Sequence, residues 1–546
     1  MSGAFLTSNL LATILLPLVA GVMLLVGRWP AAVVRQIALA VASVTLLLSI
    51  ALAFQFHELP VPKPDPKSPI HPRIVMHQDW MTFERHLRRE QSELLPQRIV
   101  HLEFYLGMDG ISLSLVVLTS LLTFSAVLIS WHSVSDRLRE YFAALLILEA
   151  GLSGAFCAFD LILFYVFFEF TLLPLFFLVG VWGGPKRREA AVKFFLYTFA
   201  GSVITLTGLV VLLIHLLGRN DISHPFSIPD IATALVHNPL PHALQVGIFL
   251  AMSLGFAIKV PLFPFHTWLP LAHVEAPTAG SVLLAGVLLK LGAYGFLRFC
   301  LPFLPDACLS VGEPLIGTLA VIGILYGALC AYAQSDLKKL VAYSSISHLG
   351  FCMLGMFALN AEGMTGSFLQ IINHGLSTGA LFLIVGMVYE RYHTREIGDF
   401  GGLASKLPLI STAMVFTCLA SIGLPGLNGF VGEFLSLIGM YRVSPALACV
   451  GTLGVILAAV YLLTMLQNAF FGPVGTLPQS HPVPDMVGRE AWSLVPLLVL
   501  CLAIGVYPKP LIDTVKPDIE AVAGMYNQLH AERLAAVRGG DLEARR

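Results

Sequence analysis

The residues best suited to do chemistry are ionisable side chains set within long apolar runs. Glu169 lies in FYVFFEFTLLPLFF, Lys259 in GFAIKVPLF, Lys290 in GVLLKLGAYG and Glu433 in GFVGEFLSL. An ionised side chain at the middle of a bilayer costs roughly 2.5–3.5 kcal/mol, so four of them together cost around 10 kcal/mol. A cost of this size, spread over several apolar segments, indicates that the buried charges serve a function.

Two histidines add titratable groups to the same kind of segment, His348 in YSSISHLGF and His374 in INHGLS. Imidazole has a reference pKa of about 6.5 and can both accept and donate a proton near neutral pH. Opposite charge nearby keeps an amine protonated, so moving Glu169 away from Lys259 would release a proton towards Lys290. We therefore predict a proton relay, in which the histidines connect the lysines to an exit or storage site at Glu433.

Simpler roles remain open for each residue taken alone. Glu169 and Lys259 could form a structural ion pair, and a lone histidine is more often a packed residue of a helix bundle. Two other functions also remain: a haem- or quinone-binding redox protein with His348 and His374 as axial ligands, and a structural scaffold. The buried lysines and glutamates have no task in a redox protein of that kind, and proton-flux assays on Lys290→Ala would decide against a scaffold.

Composition places the chain among polytopic membrane proteins. It has 546 residues, of which 57% are hydrophobic and 12% charged, and its mean hydropathy is +0.82. A net charge of −1 without a strongly basic run argues against a nucleic-acid partner. The eight cysteines lie singly, with no C-x-x-C spacing, so neither an iron–sulfur cluster nor a disulfide framework is expected in this chain.

Fourteen apolar runs predict an all-α fold of about 14 transmembrane helices. Two of the runs are over-long and interrupted by proline, at 244–272 and 409–440, which is typical of internal repeats with a site at each broken helix. The predicted domains are helices 1–3 with an external loop (1–131, loop 56–108), a first repeat of helices 4–8 (140–302), a second repeat of helices 9–13 (311–471), and helix 14 with a polar, helical tail (491–546).

Charge in the short connections predicts the orientation. Basic residues such as Arg187 and Arg188 crowd into one set of connections, whereas the opposite set of short connections holds only Arg219, Arg298 and Arg442. The positive-inside rule then places both termini outside the cytoplasm. The long 56–108 segment balances seven basic against seven acidic residues, and we predict a solvated loop or a small amphipathic cap there, with a helix-like patch at 82–93.

Long motifs in this chain closely resemble one family, the M-type or chain 4 antiporter-like subunits of proton-pumping NADH:quinone oxidoreductase, respiratory complex I. The motifs are DGISLSLVVLTSLLTF (109–124), KVPLFPFHTWLPLAHVEAPTAGSVLLAGVLLKLGAYG (259–295), LKKLVAYSSISHLGF (337–351), INHGLSTGALFLIVGMVYER (372–391) and GLPGLNGFVGEF (423–434). The resemblance covers roughly residues 105–470. The 56–108 loop is longer than is usual in the family and receives no role from it.

The resemblance implies two inverted five-helix repeats and proton translocation from the cytoplasm to the outside, driven by redox chemistry in other subunits. It makes Glu169 and Lys259 a controlling ion pair and Lys290 the central relay. It makes His348 and His374 connecting groups and Glu433 the terminal site. Related antiporter-like subunits generally carry lysine at the last position, so a glutamate there favours the M type.

The resemblance also implies the surroundings of the chain. It predicts no cofactor in this chain, FMN and iron–sulfur clusters in partner subunits, and neighbouring antiporter-like subunits in a hetero-oligomer of the bacterial cytoplasmic membrane. The chain would then be part of an enzyme without holding a redox site of its own. The nearest alternative is the homologous subunit of a multisubunit cation/proton antiporter or of a membrane-bound hydrogenase.

Overall fold

A computed structural model of the chain describes residues 3–85, 98–219, 221–222, 224–481 and 483–543. Most of these residues are helical, and short helical turns at Ile397–Asp399, Leu403–Lys406 and Thr476–Ser480 lie in the connections. The main elements are α1 (Gly3–Val26), α2 (Ala31–Glu58), β1 (Ile74–Arg85), β2 (Arg98–Met108), α3 (Gly110–Ser133), α4 (Leu138–Cys157), α5 (Leu161–Trp182), α6 (Arg187–Leu217), α7 (Ile228–His237), α8 (His242–Lys259), α9 (Leu269–Glu275), α10 (Thr278–Phe303), α11 (Pro305–Tyr332), α12 (Leu337–Met356), α13 (Ala361–Tyr392), α14 (Pro408–Ile422), α15 (Asn428–Val443), α16 (Pro445–Phe470), α17 (Gly488–Val506) and α18 (Lys509–Glu543).

Twelve helices within the described ranges are long and apolar enough to cross a membrane. They are α1 to α6, α8, α10, α11, α13, α16 and α17. The predicted class, a helical polytopic membrane protein, is confirmed. If α12 is counted as one further span and the interrupted pair α14 and α15 as another, the total is the predicted fourteen. That exact count stays a prediction. The apolar stretches of α10 and α13 are entirely buried, so these two helices form the centre of the bundle.

Short polar side chains fix where several of these helices begin. Asp109 accepts a hydrogen bond from the amide of Ser112 at the start of α3, and Asp160 accepts from the amides of Ile162 and Leu163 at the start of α5. Such caps satisfy amides that have no partner inside the helix. Asp336 and Asn360 begin α12 and α13 in the same way.

Both predicted helix interruptions are present. The chain leaves helical geometry after Lys259 and resumes it at α9, with Pro261, Pro264 and a run of turns between. The indole of Trp268 donates to the carbonyl of Ile258 at 3.0 Å, which satisfies a carbonyl freed by the interruption. The second break begins at Gly423, whose φ of +83° is the left-handed conformation that glycine adopts readily at a helix C-terminus.

The 56–108 segment is the main difference from expectation. It contains an antiparallel β-hairpin, in which β1 pairs with β2 from Ile74 opposite Met108 to Arg85 opposite Arg98. Val75, Phe83 and other β-branched or aromatic residues recur along both strands, and this composition favours strands over the amphipathic cap that the charges suggested. The prediction of a helix-like patch at 82–93 was therefore wrong for residues 82–85, which lie in β1. Residues 86–93 lie outside the described residues.

The C-terminal tail is helical, as predicted, and α18 packs along this same chain. Asp518 accepts a hydrogen bond from the amide of Gly110 at 2.9 Å, and the Tyr526 hydroxyl donates to the carbonyl of Leu301 at 2.8 Å. Burial, with the nearby charge of Asp109, raises the pKa of the Asp518 carboxyl well above its usual range.

Candidate functional site

Lys290 and His374 meet at the centre of the bundle. The ammonium of Lys290 lies 2.6 Å from Nδ1 of His374 and donates to the carbonyl of Ala285 at 2.7 Å. Ala285 belongs to a π-helical segment of α10, Leu284–Leu288, and such segments often accompany functional sites. Both side chains are buried, so a proton held between them is shielded from bulk water.

His348 and Glu433 form a second buried contact on α12 and α15. Nδ1 of His348 lies 2.8 Å from Oε1 of Glu433, and the amide of Gln370 donates to the same oxygen at 2.9 Å. The hydroxyl of Tyr461 lies 3.2 Å from the other ring nitrogen, Nε2. These partners hold the imidazole with one nitrogen towards the carboxylate.

The rings of His348 and His374 lie 6.1 Å apart, centroid to centroid, so the two contacts are neighbours in the bundle. We call the resulting group the polar row; it consists of Lys290, His374, His348 and Glu433. Its members come from α10, α13, α12 and α15, so only packing of distant segments brings them together. None of the four lies on a lipid-facing surface, since all are buried.

Lys259 and Glu169 are not paired directly. The structure contains no ion pair between these two described residues; instead the Lys259 ammonium lies 3.5 Å from the centre of the Phe168 ring and 3.4 Å from the Phe168 carbonyl oxygen. An aromatic face stabilises a cation in this position. Glu169 is half-buried, and its Oε1 has no hydrogen-bond partner among the described residues. The predicted pair is therefore seen in a separated arrangement.

The end of α8 approaches α10 closely between the two lysines. A Cβ added to Gly292 would lie 2.7 Å from both the Phe256 carbonyl oxygen and the Val260 amide nitrogen. Only glycine permits this approach of two backbones. The Lys259 segment and the Lys290 segment are thus packed against each other at that level.

Sequence reasoning missed three buried titratable groups. Glu149 on α4 is fully buried, and neither of its oxygens has a hydrogen-bond partner among the described residues. His273 on α9 is buried against the Phe382 ring at 4.6 Å, and the amine of Lys338 on α12 donates to the carbonyl of Ala276 at 2.5 Å. Glu149 interrupts the apolar run LLILEAGL, so the criterion that selected Glu169 could have found it.

A cavity of about 500 Å³ lies next to two of these residues, His273 and Lys338. Its lining includes His132, Glu275, Lys338 and Glu390, at the membrane side where α3 ends. Lys338 is thus part of the cavity wall. His273 directly precedes Val274 and Glu275, which also line the cavity.

A family profile and individual relatives of known sequence point to the same kind of protein. A family profile described as NADH:quinone oxidoreductase/Mrp antiporter, TM, matches residues 158–459. NADH-quinone oxidoreductase subunit M of Rhodobacter capsulatus is 44% identical over 438 residues, which cover 80% of this chain and 84% of the relative. NADH-ubiquinone oxidoreductase chain 4 of Arabidopsis thaliana is 41% identical over 445 residues, covering 81% and 87% of the two chains.

Solved structures support the same fold. A chain of respiratory complex I from Thermus thermophilus with bound NADH matches with a TM-score of 0.79 and 33% identity, covering 95% of this chain and 99% of that one. A chain of the Mrp complex from Dietzia sp. DQ12-45-1b matches with a TM-score of 0.77 but only 21% identity, covering 97% and 98% of the two chains. The second likeness concerns the fold alone.

Proposed function

The chain belongs to the NADH:quinone oxidoreductase/Mrp antiporter family of membrane subunits, and we propose that protons cross it along the polar row. It is a proton-translocating membrane subunit of NADH:quinone oxidoreductase. The observation that carries the proposed path is the succession of buried titratable side chains from Lys290 to Glu433. Lys290 contacts His374 and His348 contacts Glu433, and the two rings lie 6.1 Å apart between centroids. A buried row of this kind gives a proton successive acceptors where bulk water is excluded.

The entrance is proposed at the 500 Å³ cavity, because the buried amine of Lys338 lines it and His273 directly precedes two of its lining residues, Val274 and Glu275. We place this cavity on the cytoplasmic side and both termini outside, following the basic residues in the short connections. The termini and the cavity then lie on opposite sides of the cytoplasmic (inner) membrane. Protons would leave from the Glu433 end.

The separated arrangement of Lys259 and Glu169 supports a switch controlled by distance. When Glu169 approaches, its charge keeps the Lys259 amine protonated. When Glu169 withdraws, the close partners of the amine are the phenyl ring and the carbonyl of Phe168, and the proton can leave towards Lys290. The close packing at Gly292 offers a mechanical connection from Lys259 to Lys290. The two interrupted helices, α8–α9 and α14–α15, would occupy corresponding places in two inverted five-helix repeats.

The energy comes from outside this chain. Moving one charge against 100 mV requires about 2.3 kcal/mol, which the redox reaction of other subunits supplies. We place FMN and the iron–sulfur clusters in those subunits. The proposed neighbours of this chain in the membrane are other antiporter-like subunits of the hetero-oligomer.

The test replaces Lys290 by methionine in the intact complex. Lys290→Met keeps a long apolar stem but cannot bind a proton, so we expect proton translocation by reconstituted proteoliposomes to fall sharply while the flavin and iron–sulfur subunits still co-purify. Lys339→Met is the matched control, because Lys339 is exposed on α12 and lies outside the row. A wild-type ratio of protons to electrons in Lys290→Met would remove the row from the mechanism.

The alternative of a cation/proton antiporter subunit is less well supported. The chain is only 21% identical to the Mrp chain, so that likeness concerns the fold alone. It is 44% identical to the subunit M relative from Rhodobacter capsulatus over most of both chains. Glutamate at 433, in place of the lysine general in related subunits, also favours the M type. Purification without flavin and iron–sulfur subunits would support the antiporter instead.

A further inference from the structure

A cluster of metal-ligating side chains lies away from the polar row, on the membrane side that carries the N-terminus. Nε2 of His77 on β1 lies 2.9 Å from Oε2 of Glu103 on β2, and Nδ1 of His224 contacts Oε1 of the same carboxylate. Ligand atoms of His77, Asp79 and Glu103 all lie within 4.8 Å of one another. Three separate segments of the chain thus converge on one carboxylate.

Strand register explains why these side chains share a face. Asp79 is paired directly with Glu103, and His77 precedes Asp79 by two residues, which returns its side chain to the same face of the hairpin. Two carboxylates directly opposite each other repel and destabilise a strand pair. A bound cation would turn this repulsion into attraction.

Backbone hydrogen bonds bring His224 to the hairpin. The amide of Phe159 donates to the carbonyl of Tyr105 on β2, and the amide of Leu161 donates to the carbonyl of Phe226. Residues 158–161 therefore link β2 to the connection between α6 and α7, which carries His224. The cluster is held by main-chain contacts and does not depend on flexible side chains alone.

Burial of the central carboxylate is the second argument. The side chain of Glu103 is 0% exposed, and neither of its oxygens has a hydrogen bond of good geometry to any described residue. A buried carboxylate needs a compensating charge, which a bound cation would supply. The side chains of His77 and His224 are 40% and 36% exposed, which leaves a route for an ion from solvent.

We propose that His77, Glu103 and His224, with Asp79 as a further oxygen ligand, bind a transition-metal cation of the Zn²⁺ class. Two imidazole nitrogens with carboxylate oxygens suit Zn²⁺, whereas Ca²⁺ and Mg²⁺ prefer shells of oxygen ligands. The bound ion would clamp the hairpin to the α6–α7 connection. Asp160, the capping residue of α5, lies within the linking segment, so the clamp would also restrain the start of the helix that carries Glu169.

The experiment uses the whole purified complex, stripped with a chelator and then titrated with ZnCl₂. We expect the wild-type complex to bind one more Zn²⁺ than the His77→Gln or His224→Gln complexes. In these variants the Zn²⁺ affinity of the site should fall by about 100-fold or more, because loss of even an outer-shell partner lowers metal affinity by about 10–100-fold. His237→Gln is the matched control, because this exposed histidine of α7 pairs with a carbonyl of its own helix, that of Thr233. It should bind as much Zn²⁺ as wild type.

A second measurement does not depend on how the variants fold. Cryo-electron microscopy of the wild-type complex in saturating ZnCl₂ should show density for an ion between His77 and Glu103. Absence of that density, or equal Zn²⁺ content in wild-type and His77→Gln complexes that remain assembled, would overturn the proposal. The result is independent of the proton path, because no member of the polar row is altered.

Discussion

Replacement of His348 by glutamine is the most direct test of continuity in the polar row. Nδ1 of His348 lies 2.8 Å from Glu433, and the His348 ring lies 6.1 Å from the His374 ring between centroids. Glutamine can still form hydrogen bonds in a similar volume, but it cannot bind and release a proton near neutral pH. The variant therefore separates proton transfer from packing.

The structural cost of His348→Gln is modest. Glu433 loses at most one hydrogen bond to a charged group, about 1.5–3 kcal/mol, and keeps its donor Gln370 at 2.9 Å. Assembly should survive such a loss. The functional cost is larger, because proton transfer needs heavy atoms within about 2.6–3.2 Å or one bridging water, and a positioned acid–base group contributes about 10²–10⁴-fold.

The assay measures protons moved per NADH oxidised in proteoliposomes, with and without an uncoupler. We expect His348→Gln to lower coupled turnover strongly while electron input through the flavin, measured with an artificial acceptor, stays at the wild-type level. Ser347→Ala is the matched control, because the neighbouring hydroxyl points towards α11 and donates to the carbonyl of Ile324. Wild-type proton stoichiometry in His348→Gln would refute the reasoning that this imidazole carries protons.

Two further predictions concern stability and packing. Arg298→Ala should destabilise the chain by about 3–5 kcal/mol. It removes the guanidinium that lies 2.6 Å from Asp109 and leaves that buried carboxylate without its partner. Arg442→Ala, which breaks an exposed pair with Glu362, should destabilise the chain by no more than about 1 kcal/mol. Thermal unfolding of the purified complexes compares the two, and equal midpoints would contradict the argument. Gly292→Ala should cost about 1–3 kcal/mol by overpacking and should also reduce coupling, because the new Cβ would meet α8 backbone atoms at 2.7 Å between the two lysine segments. The control is Gly247→Ala on α8, whose added Cβ meets nothing within 4 Å, so its complex should keep wild-type stability and coupling. If the Gly292→Ala complex showed the same stability and coupling as the control, the close approach of α8 and α10 would not be needed for either property.

Much of the membrane architecture could be predicted because each signal is local. Apolar runs long enough to cross hydrocarbon identify spans one at a time, and Pro261 or the glycines after Ile422 interrupt a helix whatever surrounds them. The candidate residues followed from the cost of burying charge, which applies to any ionisable group in such a run. The same rule applies to Glu149, which interrupts the apolar run LLILEAGL.

The sequence by itself determined the helical membrane class, the two interruptions and the identities of the four members of the polar row, because composition and local spacing set these properties. The order of contacts in the polar row was decided only by tertiary structure, since Lys290 and His374 are 84 residues apart in the chain and His348 and Glu433 are 85 apart. Tertiary structure also placed the Lys259 amine on Phe168 without a direct contact to Glu169, and it brought His224 to the hairpin. Distances between side chains on different helices depend on how whole helices pack, and no local pattern encodes them.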